Sequence, residues 1–338
     1  MPKPQTKKTI KSAESEDLSI DHTLRPREWN EYVGQEKIKD SLRVIIEAAK
    51  KRKESSDHVL FAGPAGLGKT TLAYLVAQEL GSRARTTSGP ALEKAGDLAA
   101  ILTNLEPGEI LFIDEAHRIN PLIEEVLYPA MESRKLHLVV GKGPSARTLS
   151  LDLPAFTLVA ATTRENLLSQ PLRSRFGATF RLNFYVPEDI KRILSRSAGI
   201  LGIEVLPEAV AILARASRGT PRVANRLLKR ARDYAEVHDK KAIDDKVARE
   251  ALAMLEIDEL GLEPQDRRLL EIIIHKFNGG PVGVNTLAAA LSEDRGVIEE
   301  IYEPYLMTLG FLQRSSLGRI VLPPAYDHLK VKRKGDLL

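Results

Sequence analysis

One segment of eight residues restricts the fold of this 338-residue chain more than any other feature. It reads G-P-A-G-L-G-K-T at 63–70, between an apolar run at 58–62 and a helical pattern at 69–80. A glycine-rich turn from a strand into a helix is the P-loop arrangement, in which backbone N–H groups and the positive end of the helix bind phosphate. The glycines expected to permit this conformation are Gly63, Gly66 and Gly68.

Two side chains at the end of this segment add a positive charge and a hydroxyl oxygen to the backbone N–H groups. Lys69 is expected to reach the β- and γ-phosphates of a nucleotide, and Thr70 to place its hydroxyl oxygen on Mg²⁺, a hard cation that prefers oxygen ligands. A glycine turn formed by chance is the alternative, and the flanking strand and helix argue against it. The segment therefore predicts a site for a nucleoside triphosphate and Mg²⁺.

A second apolar run ends in two adjacent acids. I-L-F-I-D-E-A-H at 110–117 brings Asp114 and Glu115 to the end of a predicted strand. We expect Asp114 to hold Mg²⁺, directly or through water, and Glu115 to polarise the attacking water, because phosphoryl transfer needs an oriented nucleophile. Alone, such a pair is more typical of a surface turn, but here it follows a P-loop. His117 is either a relay of the phosphate state or a structural, hydrogen-bonded histidine.

Two later motifs carry further candidates. A-A-T-T-R at 160–164 ends another strand, where Thr163, in preference to Thr162, is expected to contact the γ-phosphate or hold the water. A helix cap is the alternative for such a threonine. P-L-R-S-R-F-G at 171–177 holds two arginines that either bind local carbonyl and carboxylate groups or stabilise transition-state charge in a neighbouring subunit. Arginine suits the second role because its planar fork pairs with phosphate oxygens and stays ionised.

Strand-like runs alternate with helical patterns from about residue 38 to residue 182, which predicts a parallel sheet with helices on both faces. The runs lie at 58–62, 83–86, 110–113, 156–161 and 178–182. Two additional runs, 136–140 and 147–151, flank the turn sequence G-K-G-P-S-A. They predict a β-hairpin inserted before the fourth strand of the sheet.

The pattern changes at Pro187. Residues 187–255 are helical in pattern almost throughout, and three further helical patterns then precede two strand-like pieces, 311–314 and 319–322. Three helices followed by a short hairpin are typical of a winged helix. The predicted divisions are a disordered basic tail at 1–20, a P-loop domain at 21–184, a helical lid domain at 185–256, a winged helix at 257–333 and a tail at 334–338.

Composition excludes several classes of protein and decides little else. The chain has no cysteine, which excludes disulfides, thiol catalysis and cysteine-ligated zinc. It has no apolar stretch of about 18 residues and no secretory signal, so we expect a cytoplasmic protein without a membrane span. The net charge is +4, but residues 1–12 and 330–338 supply more positive charge than that total. Charge alone therefore does not indicate a nucleic-acid partner.

The motifs, in this order and spacing, resemble those of an AAA+ ATPase. Longer stretches resemble one family of these ATPases, RuvB, whose members drive branch migration of Holliday junctions in bacteria. These stretches are R-P-R-E-W-N-E-Y-V-G-Q at 25–35, R-T-T-S-G-P-A-L-E-K-A-G-D-L-A-A-I-L-T-N-L-E-P at 85–107, E-E-V-L-Y-P-A-M-E at 124–132, R-G-T-P-R-V-A-N-R-L-L at 218–228 and G-G-P-V-G at 279–283. The resemblance implies ATP and Mg²⁺ as ligands, and an α/β P-loop AAA+ core with an inserted hairpin, followed by an all-α lid and a winged helix.

The resemblance also implies roles for single residues. Arg175 matches the arginine finger that enters a neighbour's ATP site, and Arg222 matches the lid arginine that senses the γ-phosphate. The positions that match nucleotide contacts are Leu24, Arg25, Gly66, Lys69, Thr70, Thr71 and Tyr185. The positions that match DNA contacts are Arg295, Arg314 and Arg319.

Partners are implied in the same way. The hairpin at 136–151 matches the element that docks on RuvA, the junction-binding protein. The family further implies double-stranded DNA at four-way junctions, a ring of identical subunits, six in the family, and RuvC in a larger complex. Ala65 and Ala116 depart from the family pattern but leave the ligand atoms unchanged, whereas the departure at Ser133 and Arg134 leaves no nucleotide contact assigned there.

Several alternatives stay open on sequence alone. The basic residues between Arg215 and Arg232 form either a DNA face or, by preference, a lid helix beside a triphosphate. Residues 258–333 hold 9 basic and 11 acidic residues, so a DNA role depends on Arg314 and Arg319, and a protein-contact module is the alternative. The whole chain is either a motor or an ATP-gated loader of the clamp-loader type, with a protein-remodelling ATPase as a weaker option.

Overall fold

Five parallel strands form the central sheet of the first part of the chain. This computed structural model describes residues 23–140 and 147–333, and the chain divides into two compact units between Asn183 and Phe184. The strands of the first unit are β1 (Val59–Ala62), β2 (Ala84–Ser88), β3 (Ile110–Asp114), β4 (Lys135–Val140), β5 (Arg147–Asp152), β6 (Thr157–Thr162) and β7 (Ala178–Arg181). The central sheet has the order β2-β3-β6-β1-β7 and is parallel throughout.

The three middle strands, β1, β3 and β6, determine where a ligand can bind. They are almost entirely buried, as expected of parallel strands that are covered on both faces. The pairs Ala62↔Thr162 and Ile113↔Ala160 fix their register. The carboxyl ends of the three strands therefore lie side by side, at the edge where open α/β sheets bind their ligands.

The first unit also contains helices, several of which pack apolar residues against this sheet. They are α1 (Glu36–Arg52), α2 (Lys69–Glu79), α3 (Ala95–Thr103), α4 (Pro121–Ser133) and α5 (Gln170–Arg173). Leu98 of α3, Leu127 of α4 and Leu158 of β6 belong to one buried apolar cluster. Helix α1 was not among the predicted elements, although its buried Leu42, Ile46 and Ala49 have the spacing of a helix face.

The inserted hairpin predicted from the sequence is present. Strands β4 and β5 pair antiparallel from Lys135↔Asp152 to Val140↔Arg147 and form a separate two-stranded sheet. The G-K-G-P-S-A turn at 141–146 lies outside the described residues, as do the predicted tails at 1–20 and 334–338. Leu136 is buried in the main apolar cluster, whereas Leu149 is exposed, so one end of the hairpin is anchored and apolar surface is presented further along it.

The second unit begins with an all-helical segment, as the sequence predicts. Its helices are α6 (Pro187–Leu201), α7 (Pro207–Ala216), α8 (Pro221–Val237) and α9 (Asp245–Met254). Three of them begin with proline at the first helical position, where the missing N–H has no intrahelical partner in any case. Asp244 caps α9 by accepting a hydrogen bond from the backbone N–H of Val247.

A winged helix follows, also as predicted. Its elements are α10 (Pro264–Phe277), α11 (Val284–Leu291), α12 (Arg295–Val297), a π-helical turn (Ile298–Tyr302), α13 (Glu303–Thr308), β8 (Leu312–Ser315), β9 (Gly318–Val321) and α14 (Pro323–Leu329). The pattern at 295–309 predicts one uninterrupted helix, but Pro304 has no N–H to donate to the carbonyl of Glu300. The π-helical turn falls at this gap in the hydrogen-bond ladder. Among the described residues, no helix is long and apolar enough to cross a membrane.

His58, the residue before β1, bonds β6 and α4 through its ring nitrogens. Its Nδ1 accepts a hydrogen bond from the backbone N–H of Leu158 at 2.8 Å, and its Nε2 lies 3.2 Å from the carbonyl oxygen of Met131. Because Nδ1 accepts, Nε2 carries the proton and the ring is neutral. Burial lowers the pKa of His58, although the Met131 carbonyl acts in the opposite direction.

This arrangement predicts a loss of stability in mild acid. The pKa of His58 is lower in the folded chain than in the unfolded chain, so the unfolded chain binds the extra proton first. The free energy of unfolding should fall as the pH drops from about 7 towards 5.5, by up to about 1.4 kcal/mol per pH unit. Denaturant unfolding across this range should show the slope in the wild type and a weaker slope in His58→Gln. The exposed His137→Gln is the control, and equal slopes in all three proteins would contradict the assignment.

Candidate nucleotide-binding site

The glycine-rich loop connects β1 to α2 at the carboxyl edge of the sheet. Gly63 has φ +141° and Gly68 has φ +97°, which side-chain-bearing residues rarely adopt. A Cβ on Gly63 would lie 2.7 Å from the carbonyl oxygen of Leu182, and one on Gly68 would lie 2.8 Å from the hydroxyl of Tyr32. The Gly63 N–H also donates to the carbonyl oxygen of Thr162. The loop is therefore held between β6 and the segment that carries Tyr32.

Lys69 is the first residue of α2 and is buried beside the loop. Its ammonium group donates hydrogen bonds to the carbonyl oxygens of Gly63 and Pro64 at 2.7 and 2.8 Å. Burial lowers the pKa of Lys69, and the negative charges of Asp114 and Glu115 raise it. Further negative charge at this position, such as that of a polyphosphate, would favour the ammonium form in the same way.

Thr70 and Asp114 provide two oxygen ligands that lie close together. The Thr70 hydroxyl donates to Asp114 Oδ2 at 3.2 Å, which joins the start of α2 to the end of β3. A hydroxyl and a carboxylate are the donors that Mg²⁺ accepts, and Mg²⁺ commonly uses one or two protein groups together with phosphate and water. Within residues 23–140 and 147–333, no group of three or more His, Asp or Glu residues forms a complete metal site. The pair therefore fits a cation that a nucleotide helps to bind.

Glu115 has a backbone conformation that is unfavourable for a residue with a side chain. It has φ +49°, a left-handed conformation that is uncommon for residues other than glycine and frequent at functional sites. Its N–H donates to Asp114 Oδ1 at 2.9 Å, and its Oε2 accepts from the Thr163 hydroxyl at 3.3 Å. The acid after β3 and the threonine after β6 therefore meet, as their adjacent strands require.

Thr162 and His117 complete this cluster on its buried side. Thr162 is fully buried, and its Oγ1 accepts the backbone N–H of Arg164. His117 Nδ1 lies 3.0 Å from that hydroxyl oxygen and 3.3 Å from Glu115 Oε2. His117 thus has the hydrogen bonds of a structural histidine while contacting the acid next to the nucleotide loop, so both alternatives drawn from the sequence agree with its position.

Arg175 lies after α5 and contacts α4. Its guanidinium pairs with Glu132 at 2.9 Å, donates to the carbonyl oxygen of Pro171 at 2.7 Å and lies 4.5 Å from the ring centroid of Tyr128. The Tyr128 hydroxyl in turn bonds Glu124 and Ser169 at 3.0 Å each. These contacts hold the cation in one orientation at the surface of its own subunit.

The remaining predicted nucleotide contacts fall into two groups. Leu24 is buried, Arg25 lies 5.0 Å from the ring centroid of Tyr74, and Thr71 lies in the first turn of α2. In the second unit, the backbone N–H of Tyr185 donates to the carbonyl oxygen of Gly219 at 2.8 Å. Tyr185 therefore neighbours the G-T-P-R loop that carries Arg222.

The three arginines predicted to contact DNA converge on two carboxylates of the winged helix. Arg314 and Arg319 are paired across β8 and β9, and their Nε atoms donate to the fully buried Glu303 at 2.5 and 2.7 Å. Glu299 pairs with Arg295 at 3.1 Å and with Arg319 at 3.2 Å. Burial acts to raise the pKa of Glu299, but hydrogen bonds from Arg295 and Arg319 hold it below its usual value. The cluster keeps one unit of positive charge in excess.

Three family models together match most of the chain, from residue 24 to residue 330. Residues 24–182 match the family model of the Holliday junction DNA helicase RuvB P-loop domain, 185–258 that of the RuvB AAA lid domain and 259–330 that of the RuvB C-terminal winged helix domain. The chain belongs to the RuvB family. None of these matches favours a clamp loader.

Individual RuvB proteins are similar over nearly their whole length. The RuvB branch migration complex subunits of Chloroflexus aggregans and Chloroflexus aurantiacus are each 58% identical over 317 residues, which cover 94% of this chain and 91% of theirs. A solved structure described as the Thermotoga maritima RuvB Holliday junction branch migration motor is 47% identical, with a TM-score of 0.85, and covers 92% of this chain and 99% of its own.

Some residues of this RuvB chain gain significance only from the structure. Tyr32, Tyr128 and Glu132 lie in stretches that resemble the family, but no sequence motif predicts their contacts with Gly68 and Arg175. Buried acids of the winged helix were also not predicted. The signal that could have indicated them is weak, namely acids at 299 and 303 on a helix whose neighbours are apolar.

Gly89 provides a test of how the position of Glu115 is maintained. A Cβ on Gly89 would overlap the carbonyl oxygen of Glu115 and lie 3.1 Å from the backbone nitrogen of Ile119. Gly89→Ala should therefore displace Glu115 and reduce ATP hydrolysis by about 10- to 100-fold, the effect of an ångström-scale misplacement, with little change in nucleotide affinity. Gly96→Ala is the matched control because a Cβ there meets nothing within 4 Å. Similar turnover in the two variants would mean that Gly89 does not support Glu115.

Proposed function

We propose that this chain is an ATP-driven DNA motor that forms a ring on duplex DNA and moves it through a RuvA-bound four-way junction, in recombination and repair. The observation that carries the hydrolytic part is the meeting of Thr70 with Asp114, and of Glu115 with Thr163, at adjacent strand ends. The DNA part draws support from relatives that are named as subunits of the Holliday junction branch migration complex.

We assign phosphate binding, charge neutralisation and cation binding to different residues of the site. Backbone N–H groups of the loop, including that of Gly66, bind the phosphates, and Lys69 neutralises the β- and γ-phosphate oxygens. Thr70 and Asp114 would hold Mg²⁺, which when bound supplies positive charge to the same oxygens. Other phosphate contacts are assigned to Gly63, Gly68 and Thr71.

Glu115 and Thr163 prepare the nucleophile. The Glu115 carboxylate accepts a hydrogen bond from a water molecule and so directs its lone pair towards the γ-phosphorus. Thr163, which contacts the same carboxylate at 3.3 Å, limits the positions that the carboxylate can take. His117 contributes a second contact to Glu115 Oε2. Replacement of Glu115 by glutamine should preserve size while removing the charge that polarises water.

Arg175 is assigned to the ATP site of a neighbouring subunit. Its contacts with Glu132, Tyr128 and Pro171 hold the guanidinium against α4 and α5 with part of the side chain exposed, a position from which it would meet a second copy of the chain. A planar cation that stays ionised stabilises the charge that develops on a transferring phosphoryl group. Hydrolysis would then require assembly, and a closed ring is the geometry in which every site receives a finger.

Other parts of the proposal come from the sequence and the family. The winged helix would contact the DNA backbone through Arg295, Arg314 and Arg319, and the hairpin β4–β5 would dock on RuvA. Roles for Leu24, Arg25, Tyr185 and Arg222 at the nucleotide, RuvC as a further partner, six subunits in the ring and a cytoplasmic location stay predictions. So does the division into a P-loop domain, a lid domain and a winged helix near residues 184 and 256.

A strand-exchange assay on a four-way junction tests the proposal. With RuvA, ATP and Mg²⁺, the wild-type chain should convert the junction to exchanged duplexes. Lys69→Ala should lose ATP binding, and Glu115→Gln should bind ATP without hydrolysing it; neither should move the junction. A loader or scaffold would hydrolyse ATP and bind DNA without exchange, and stimulation of hydrolysis by unfolded protein but not by DNA would indicate a remodelling ATPase.

The finger assignment makes a prediction about mixed assemblies. Arg175→Ala should bind ATP and hydrolyse it about 1,000-fold more slowly than the wild type, the lower end of the effect of such arginines. Mixing it with Lys69→Ala should restore part of the activity, because some Arg175→Ala subunits then receive an intact finger from a Lys69→Ala neighbour. Wild-type turnover by Arg175→Ala alone would refute the assignment.

A further inference from the structure

A buried guanidinium of the second unit has no role in the function proposed above. Arg218 lies between α7 and α8, directly before the G-T-P-R loop, in a left-handed conformation with φ +57°. Its side chain is only 10% exposed, and it donates two hydrogen bonds to Asp266, of 3.0 and 3.2 Å. Asp266 is fully buried in the first turn of α10, the first helix of the winged helix. The pair therefore joins the lid loop to the winged helix.

Other contacts at this junction also restrain the guanidinium of Arg218. It lies 4.8 Å from the ring centroid of Tyr305 and donates to the carbonyl oxygen of Ile301 at 3.3 Å. The Tyr305 hydroxyl donates to the carbonyl oxygen of Leu260 at 2.5 Å. Burial raises the pKa of that hydroxyl to about 12, so it remains a donor at neutral pH. A planar cation paired by its fork and packed against a ring has little freedom to rotate.

The negative charge of Asp266 is stabilised by the Arg218 guanidinium. Burial raises the pKa of its carboxyl group, and the charge of Arg218 is the main influence that lowers it. Asp266 also accepts the backbone N–H of Glu263 at 2.8 Å, which fixes the start of α10. Removing one member of such a pair leaves the other charged and buried without compensation, whereas removing both is tolerated much better.

We propose that Arg218 is a positioning residue that holds the winged helix rigidly on the loop carrying Arg222. A displacement of that loop then moves the winged helix with it, instead of being absorbed between the two. The consequence for DNA movement rests on the proposed function: an intact Arg218 keeps ATP turnover coupled to movement of the junction.

The chain offers a matched control for this pair. Arg226 of α8 and Glu263, the residue before α10, form a second ion pair between the same two segments, with an N–O distance of 2.6 Å. Their side chains are 52% and 36% exposed, and exposed pairs of this kind contribute little to stability. Replacing Arg226 therefore removes a lid–winged-helix ion pair without disturbing a buried charge.

A distance measurement tests the rigidity without reference to activity. Because the chain contains no cysteine, Val237→Cys and Leu317→Cys introduce two unique spin-label sites. Both residues are largely exposed, one at the end of α8 and the other in the turn between β8 and β9. Pulsed electron paramagnetic resonance on the full chain should give a narrow distance distribution with wild-type Arg218 and with Arg226→Met. It should give a broader one with Arg218→Met.

Two further variants distinguish a lost connection from general unfolding. Arg218→Lys keeps the charge but loses the fork, and it should give a distribution between those of the wild type and Arg218→Met. The double variant Arg218→Met/Asp266→Leu removes both charges, so it should fold even if the single variants do not, and it should still give a broad distribution. A narrow distribution in the double variant would overturn the proposal.

The second readout is the number of ATP molecules consumed per unit of branch migration. It should rise several-fold in Arg218→Met, because ATP is then consumed without full movement of the winged helix, and remain at the wild-type value in Arg226→Met. Equal values in the two variants would overturn the coupling role. If the wild-type chain moves no junctions, the proposed function fails, while the distance measurement still decides whether Arg218 fixes the winged helix.

Discussion

The pairing of β6 between β1 and β3 is the constraint on which the candidate site depends. It aligns Ala62 with Thr162 and Ile113 with Ala160, so three chain segments leave the sheet at the same edge. A one-residue change of register would turn the side chains of a strand to its opposite face. The hydrogen bond from the Gly63 N–H to the Thr162 carbonyl oxygen extends this pairing into the loop itself. Backbone pairing therefore brings together the segments that carry the residues proposed to bind phosphate, cation and water.

Arginine–carboxylate pairs perform a second kind of positioning, which differs with burial. Glu132 pairs with Arg175, and Glu303 pairs with Arg314 and Arg319, and the side chains of Arg175 and Arg314 stay partly exposed. Asp266 instead is fully buried, and the Arg218 side chain that pairs with it is only 10% exposed. Such pairing also explains why total charge says little about function, since residues 258–333 hold more acids than bases although they contain the predicted DNA contacts.

Local sequence was sufficient for the fold class and for most of the residues that meet at the candidate site. The P-loop, the acids after β3 and the proline-initiated helices depend on residues near one another, so spacing predicts them. The acidic partners of Arg175, Arg218 and Arg319 lie 16 or more residues away, and no local pattern selects one acid among many. The choice of Thr163 over Thr162 depends on where each side chain points at the end of β6, and the sequence does not show this. The π-helical turn at Ile298–Tyr302 had a signal in Pro304, but a helical pattern alone does not reveal it.

The loop that carries Arg222 is restrained within the second unit from two sides. On one side the carbonyl oxygen of Gly219 accepts the N–H of Tyr185, and on the other Arg218 is bound to Asp266. A Cβ on Gly219 would lie 2.9 Å from the Tyr185 carbonyl oxygen, so this approach also needs glycine. Both restraints act on the first residues of the loop, which leaves the loop few conformations in which to absorb a displacement. The loop is attached to the winged helix by the buried ion pair, so a motion of the loop is transmitted to the winged helix.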